Sequence, residues 1–168
     1  VPEADTIPAG EYRDFEVLLN AKGLYGGLYS GEIDVLSNDP ASPVVSVPVG
    51  LFVTGIPDME VDQDTVDFGK TFVGTSNSRP LQIENEGTDT LYVSDVVFDH
   101  LSFAVDTTSF YLLPKQIQTL EIIYSPEVVA DDTVQMSISS NDPDEVPYIV
   151  YLLGQAVHPP IAGVDQDS

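Results

Sequence analysis

The sequence predicts an all-β chain built as an immunoglobulin-like antiparallel β-sandwich, and three observations predict it. The apolar runs are short, β-branched or aromatic, and bounded by Gly, Pro, Asn and Asp, with helical periodicity almost absent. Several runs alternate apolar and polar residues with period two, as a half-buried strand requires. Part of the chain is written twice. Phe15-Glu16-Val17-Leu18-Leu19-Asn20-Ala21 reappears as Leu120-Glu121-Ile122-Ile123-Tyr124-Ser125-Pro126, Ser37-Asn38-Asp39-Pro40 as Ser140-Asn141-Asp142-Pro143, and the run 44–53 as 148–157, with Gly50 matching Gly154. A spacing of about 104 residues is the length of a β-domain, not of a short solenoid unit.

The second copy reads as about seven strands: 59–61 continuing to 65–68, then 78–85, 90–98, 103–105 with 110–113, 117–125, 133–140 and 148–157. In the second of these Leu81 and Ile83 share one face, and in the third Leu91, Val93 and later Val97 share another. Leu120, Ile122 and Tyr124 alternate with polar neighbours, as do Val134, Met136 and Ile138. Between strands, Glu86-Gly87 and Asp89 after Asn85 make a reversal that needs a residue tolerant of positive φ. Phe68-Gly69 ends the first edge segment. In Asn38-Asp39-Pro40 and Asn141-Asp142-Pro143 an Asx side chain caps the turn and the proline bars continuation of the strand.

The first copy holds only the later strands, at 15–20, 32–37 and 44–53. The expected organisation is therefore residues 1–55 as the C-terminal half of one repeat, 56–158 as a complete repeat, and 159–168 as a linker stiffened by Pro159-Pro160. Half a sandwich exposes an apolar face and unpaired edges, so residues 1–55 are expected to need covering by the second domain, another copy or preceding chain.

Composition narrows the function classes. Lys and Arg number 5 against 28 Asp and Glu, a net charge of -23. Such a surface repels phosphate backbones and anionic membranes. The 42% hydrophobic content supports a packed core. There is no cysteine, which removes disulfides, thiolate metal sites and cysteine catalysis. No apolar run approaches the roughly 18 residues of a membrane span.

Candidate chemistry is sparse. His100 and His158 are the only histidines and share no motif, and no Gly-x-Ser-x-Gly elbow is present, so no catalytic residue is assigned. Carboxylates cluster at Asp62, Asp64 and Asp67, at Asp131 and Asp132, at Asp142, Asp144 and Glu145, and at Asp165 and Asp167. Solvated loops of an acidic protein account for them, and none matches an EF-hand loop. Calcium, which takes six to eight oxygens, has its best candidate ligands in Asp58, Glu60 and Asp62 at the inter-domain hinge. No other cofactor is expected. Tyr25 and Tyr29 in the Gly-rich stretch 22–29 are binding candidates, able to stack on a sugar or peptide or to pack on a sandwich edge.

The strings Val66-Asp67-Phe68-Gly69, Val73-Gly74-Thr75, Leu81-Gln82-Ile83-Glu84-Asn85-Glu86-Gly87 and Leu91-Tyr92-Val93 resemble the Hydin-type (ASH) immunoglobulin-like repeats, also labelled choice-of-anchor D and related to the major sperm protein and PapD-like folds. Leu113-Pro114, Leu120 to Pro126, Ser139 to Pro143 and Leu153-Gly154 continue the likeness. Such repeats usually carry Gly after the Pro that precedes the fifth strand. Ala9-Gly10 keeps it and Lys115-Gln116 departs from it, from which a local change of turn is expected. The resemblance implies a non-catalytic spacer or interaction module of a large secreted or surface bacterial protein. Its partners would be neighbouring domains of the same polypeptide, a protein or a surface polymer, with self-association through the incomplete first repeat. Two alternatives stay open: an accessory domain of a secreted hydrolase such as a peptidase, and a ciliary or cytoskeletal scaffold repeat.

Overall fold

A computed structural model describes residues 5–145 and 147–161. Asp165 and Asp167 lie outside the described residues. Those described fall into two compact units, one of residues up to Leu24 with Leu28–Leu51, the other of Tyr25–Gly27 with the chain from Phe52 onward.

Among its described residues the first unit holds most of two strands, β1 (Gly27–Leu36) and β2 (Val44–Val53), paired as one small sheet. The strand expected at 15–20 is absent. Phe15, Val17, Leu18 and Leu19 are all more than half exposed, and no strand among the described residues offers them a ladder. A strand needs a partner as well as an alternating sequence.

The turn after β1 is held by its own side chains. Asp39 N–H donates to Ser37 Oγ (3.2 Å) and Ala41 N–H to Asp39 Oδ1 (2.8 Å). The same two bonds recur in the second unit, from Asp142 N–H to Ser140 Oγ (3.2 Å) and from Asp144 N–H to Asp142 Oδ1 (3.2 Å).

Among the described residues the second unit is a sandwich of nine strands. In chain order the strands are β3 (Met59–Val61), β4 (Thr65–Phe72), β5 (Asn77–Asn85), β6 (Leu91–Phe98), β7 (Phe103–Val105), β8 (Phe110–Leu112), β9 (Ile117–Tyr124), β10 (Asp131–Ser140) and β11 (Tyr148–Val157). One sheet runs β4-β11-β10-β6-β8 and the other β3-β5-β9-β7. Two expected strands are thus split, each between the two sheets. At the first split Asp62 Oδ1 accepts Gln82 N–H (2.9 Å), and the Tyr148 hydroxyl donates to Asp64. These carboxylates hold the crossing, and β4 then runs parallel to β11. Phe68-Gly69 does not end the strand. Gly69, at φ +61°, forms a bulge where the β4–β11 register shifts, and its N–H donates to Asp67 Oδ1 (2.7 Å).

The inner faces of both sheets meet in one core. Leu81, Ile83, Leu120, Ile122, Met136, Ile138 and Leu152 are fully buried, so the alternation in β5, β9 and β10 points inward as expected. β6 departs from it. Its pairing with β10 shifts register between Val93 and Asp95, which turns Val96 inward and leaves Val97 on the surface. The expected face of Leu91, Val93 and Val97 therefore holds only for the first two.

The turn after β5 works differently from the expectation. Neither Asn85 nor Gly87 has positive φ. Asn85 is buried and its side chain bonds backbone on several elements. Nδ2 donates to the Asp89 carbonyl (2.7 Å) and the Leu112 carbonyl (2.9 Å), and Oδ1 accepts Gly87 N–H (3.0 Å) and Asp58 N–H (3.4 Å). Gly87 is there for room, because a Cβ would lie 2.4 Å from the Ile56 carbonyl oxygen.

Positive φ falls instead at Lys115 (φ 66°), the only such non-glycine among the described residues, and at Gly10 (φ 84°). Both close matching turns, with Glu11 N–H on the Pro8 carbonyl (3.1 Å) and Gln116 N–H on the Leu113 carbonyl (3.0 Å). The expected change of turn at Lys115-Gln116 does not occur. Lys115 holds the left-handed conformation with its N–H on the Asn85 carbonyl (2.8 Å) and its Nζ on the Glu86 carbonyl (3.0 Å).

Candidate interaction site

β10 begins five residues before β6 comes alongside it. Pairing with β6 starts at Met136, opposite Phe98, and the chain then turns away through Asp99 and His100. The divergence opens a groove of about 550 Å³ lined by Val97, Phe98, Asp99, His100, Thr133, Gln135, Ser137 and Ile149 among others. Its walls mix aliphatic side chains, strand backbone and a carboxylate, and contain no Lys or Arg.

Beside the groove the structure assembles a Tyr-Asp-His cluster. Tyr124 is fully buried, stacked on Phe103 with ring centroids 4.7 Å apart and tilted on Phe68 at 5.6 Å. Its hydroxyl donates to Asp132 Oδ2 (2.6 Å), and Asp132 Oδ1 faces His100 Nε2 at 3.6 Å. Burial first, then the hydrogen bond and charge of Asp132, push the Tyr124 phenol far above its ordinary value. His100 Nδ1 accepts Ser102 N–H (3.3 Å). Both imidazole nitrogens thus face loop backbone or Asp132. In a nucleophile–base pair the imidazole would address a hydroxyl, so this arrangement anchors the end of the sandwich. His158 lies just beyond β11.

Asp131 and Asp132 read as a solvated pair in the sequence, yet the Asp132 side chain is only 10% exposed. The signal that finds it is Tyr124, an inward-facing residue whose buried hydroxyl needs a partner.

The second acidic group lies at the Asn-Asp-Pro turn after β10. Asp142 is buried and its Oδ2 accepts Met59 N–H (2.6 Å), tying this turn to the start of β3. Asn141 Oδ1 accepts Tyr92 N–H (2.7 Å), and its Nδ2 donates to the Thr90 carbonyl (3.1 Å). Asp58 and Glu60 lie close enough to raise the Glu145 carboxyl, after burial and the charges of Asp142 and Asp144. Asp144 is raised by its hydrogen bond to Asp142 and by that group's charge. Asp62 stands apart, on Gln82 N–H across the β3–β5 pair. The three hinge residues Asp58, Glu60 and Asp62 are therefore not brought together on one ion. No group of three or more His, Cys, Asp or Glu among the described residues is arranged to hold a metal.

The raised carboxylates predict a pH dependence. A group whose folded pKa is raised stabilises the fold below its unfolded value, and this is lost as pH rises through the folded value. From the ordinary values of 3.8 for Asp144 and 4.5 for Glu145 upward, stability therefore falls with pH. Melting at low salt should occur at higher temperature near pH 5 than near pH 7.5. Asp144→Asn should flatten that slope, and an unchanged slope in this variant would disprove the assignment.

Tyr25 and Tyr29 do not share a loop. Tyr25 belongs to the second unit, half-exposed, and lines a small cavity of about 310 Å³ with Thr88, Asp89, Leu113 and Pro114. Gly26 N–H donates to the Thr88 carbonyl (2.7 Å) there. Tyr29 stands within β1 of the first unit, because the strand begins at Gly27.

Comparison with known proteins agrees with this architecture. An ASH/PapD-like domain of human CEP192 (PapD-like domain 7) is similar at 17% identity and TM-score 0.51, over 61% of this chain and 87% of that one. A Porphyromonas gingivalis W83 protein of unknown function is similar at 20% identity and TM-score 0.55, over 80% of this chain and 68% of that one. At these identities the likeness is one of fold. No curated protein sequence matches the chain. The profile of the HYDIN/CFA65/VesB-like Ig-like domain matches residues 57–153, and since that is more than half of the 168 residues, the chain belongs to this Ig-like family.

Proposed function

We propose that this chain is a non-catalytic spacer and interaction module of a large secreted or surface bacterial protein. The observation that carries the non-catalytic part is how the second unit uses its polar interior. Asn85 and Asp142 bond backbone at the sandwich ends, and the Tyr124–Asp132–His100 cluster bonds within itself and to loop backbone. These groups close the fold; His100 alone among them lines the groove, and its ring nitrogens face Ser102 N–H and Asp132 rather than a nucleophile. The absence of cysteine and the strong negative charge suit an exposed, soluble surface. Neighbouring domains of the same polypeptide are its first partners, and the apolar surface of the first unit, with Val35, Val45 and Val47 about half exposed, invites a second copy or further chain.

Antibody raised against this chain tests the placement. Intact cells that produce the protein should be labelled without permeabilisation, and labelling only after permeabilisation would rule out an extracellular role. The parent reading frame separates the two extracellular readings: further repeats favour the spacer, a catalytic domain favours an accessory role beside a hydrolase.

A further inference from the structure

The groove beside β10 is an interrupted sheet edge. Along a strand, the backbone N–H and C=O of successive residues point alternately to either side. Ala156 N–H of β11 donates to the Ala130 carbonyl (2.8 Å), so even-numbered residues of β10 turn their backbone toward β11. Tyr151 N–H donates away from β10, to Asp64 (2.8 Å), which fits the same alternation. Odd-numbered residues of β10 therefore face β6. β6 stops at Phe98, opposite Met136, and no described strand stands on that side of Thr133. Thr133 and Gln135 are exposed. Val97 stands near the end of β6 beside the gap and Asp99 lines it, while Ile149, opposite Ser137 on β11, lines the groove from across β10.

We propose that this gap receives an extended, cationic peptide segment. The segment adds as a short strand at Thr133, lays an aliphatic side chain toward Val97, and sets a Lys or Arg beside Asp99. Main-chain bonds to an open edge supply affinity, and the flanking side chains supply selection. Charge decides among the possible occupants. At this groove, which contains a carboxylate and no Lys or Arg, the acidic strands of a second copy and any nucleic acid are repelled. A basic peptide is the class it attracts. The proposal rests on the interaction-module reading, but cell labelling reports where the protein is and not what it binds, so either can fail alone.

The test is a titration of the full chain, followed by backbone amide chemical shifts, with an eight-residue peptide alternating Lys and Val. Shifts should concentrate at Thr133, Gln135 and Val97 to His100. A peptide of alternating Glu and Val should produce none. Methylating alternate amides of the Lys-Val peptide, on the face that bonds β10, should abolish the localised shifts while leaving the charge unchanged. Thr133→Pro removes one open-side N–H without touching the β11 ladder and should abolish them as well. Asp99→Lys should weaken binding at least tenfold, with the melting temperature of both variants reporting that the fold persists. No shifts with the Lys-Val peptide at millimolar concentration would overturn the proposal. So would shifts spread over the whole acidic surface and indifferent to amide methylation, or shifts at Thr133 that grow with protein concentration alone.

Discussion

Replacing Asn85 by alanine is expected to destabilise the second unit by about 3–5 kcal/mol, measured as a shift of the urea midpoint at constant slope. The size follows from what one side chain satisfies. Asn85 is completely buried, and its amide bonds the backbone of Asp89, Leu112, Gly87 and Asp58. The bond to Asp58 is long at 3.4 Å and adds little, which leaves three bonds of 2.7–3.0 Å. A buried group deprived of its partner costs about 1–3 kcal/mol, and alanine leaves two carbonyls and an amide in that state. Aspartate has nearly the same shape but cannot donate to the two carbonyls and brings a charge into the interior, so Asn85→Asp should be no better than alanine. A loss below about 1 kcal/mol for Asn85→Ala would show that water reaches these groups and that the side chain is not their anchor.

Asn85 also shows where the sequence was legible. Its position at a chain reversal was visible from Glu86-Gly87 and Asp89, but its role was not. A turn residue tolerant of positive φ and a side chain bridging several backbone elements look alike in one dimension. The strands read well where side-chain alternation was unbroken, as in Leu81 and Ile83 or Leu120, Ile122 and Tyr124, because one face of each is in the core. They read badly where the backbone added a residue. The register shift between Val93 and Asp95 exchanged Val97 for Val96, and the bulge at Gly69 carried β4 past its apparent end. The stretch 15–20 has the pattern of β9 but no partner among the described residues, and pairing is a property of the assembly. The groove was invisible for a related reason. It arises because β10 outruns β6, and neither strand's sequence states where its neighbour stops.

The repeated glycine gives the second large effect. Gly50 and Gly154 occupy matching positions in the two copies, yet they should respond oppositely to substitution. A Cβ on Gly154 would lie 2.5 Å and 2.6 Å from two ring carbons of Tyr124. The ring cannot easily retreat. Phe103 is stacked on it at 4.7 Å, Phe68 closes in at 5.6 Å, and the hydroxyl is tied to Asp132 at 2.6 Å. Overpacking costs about 1–3 kcal/mol, and displacing the phenol also endangers a buried hydrogen bond to a carboxylate. Gly154→Ala should therefore lose about 2–4 kcal/mol of stability in urea unfolding. Around Gly50 a Cβ meets nothing within 4 Å, and Gly50→Ala should stay within about 0.5 kcal/mol of the parent. Shrinking the obstructing ring supplies the decisive control. If the clash with Tyr124 is the cause, Tyr124→Leu should cost less in the Gly154→Ala background than in the parent, because the two positions are coupled. Strict additivity of the two losses would mean that the glycine serves strand backbone rather than the aromatic stack. Equal losses at Gly50 and Gly154 would mean the same.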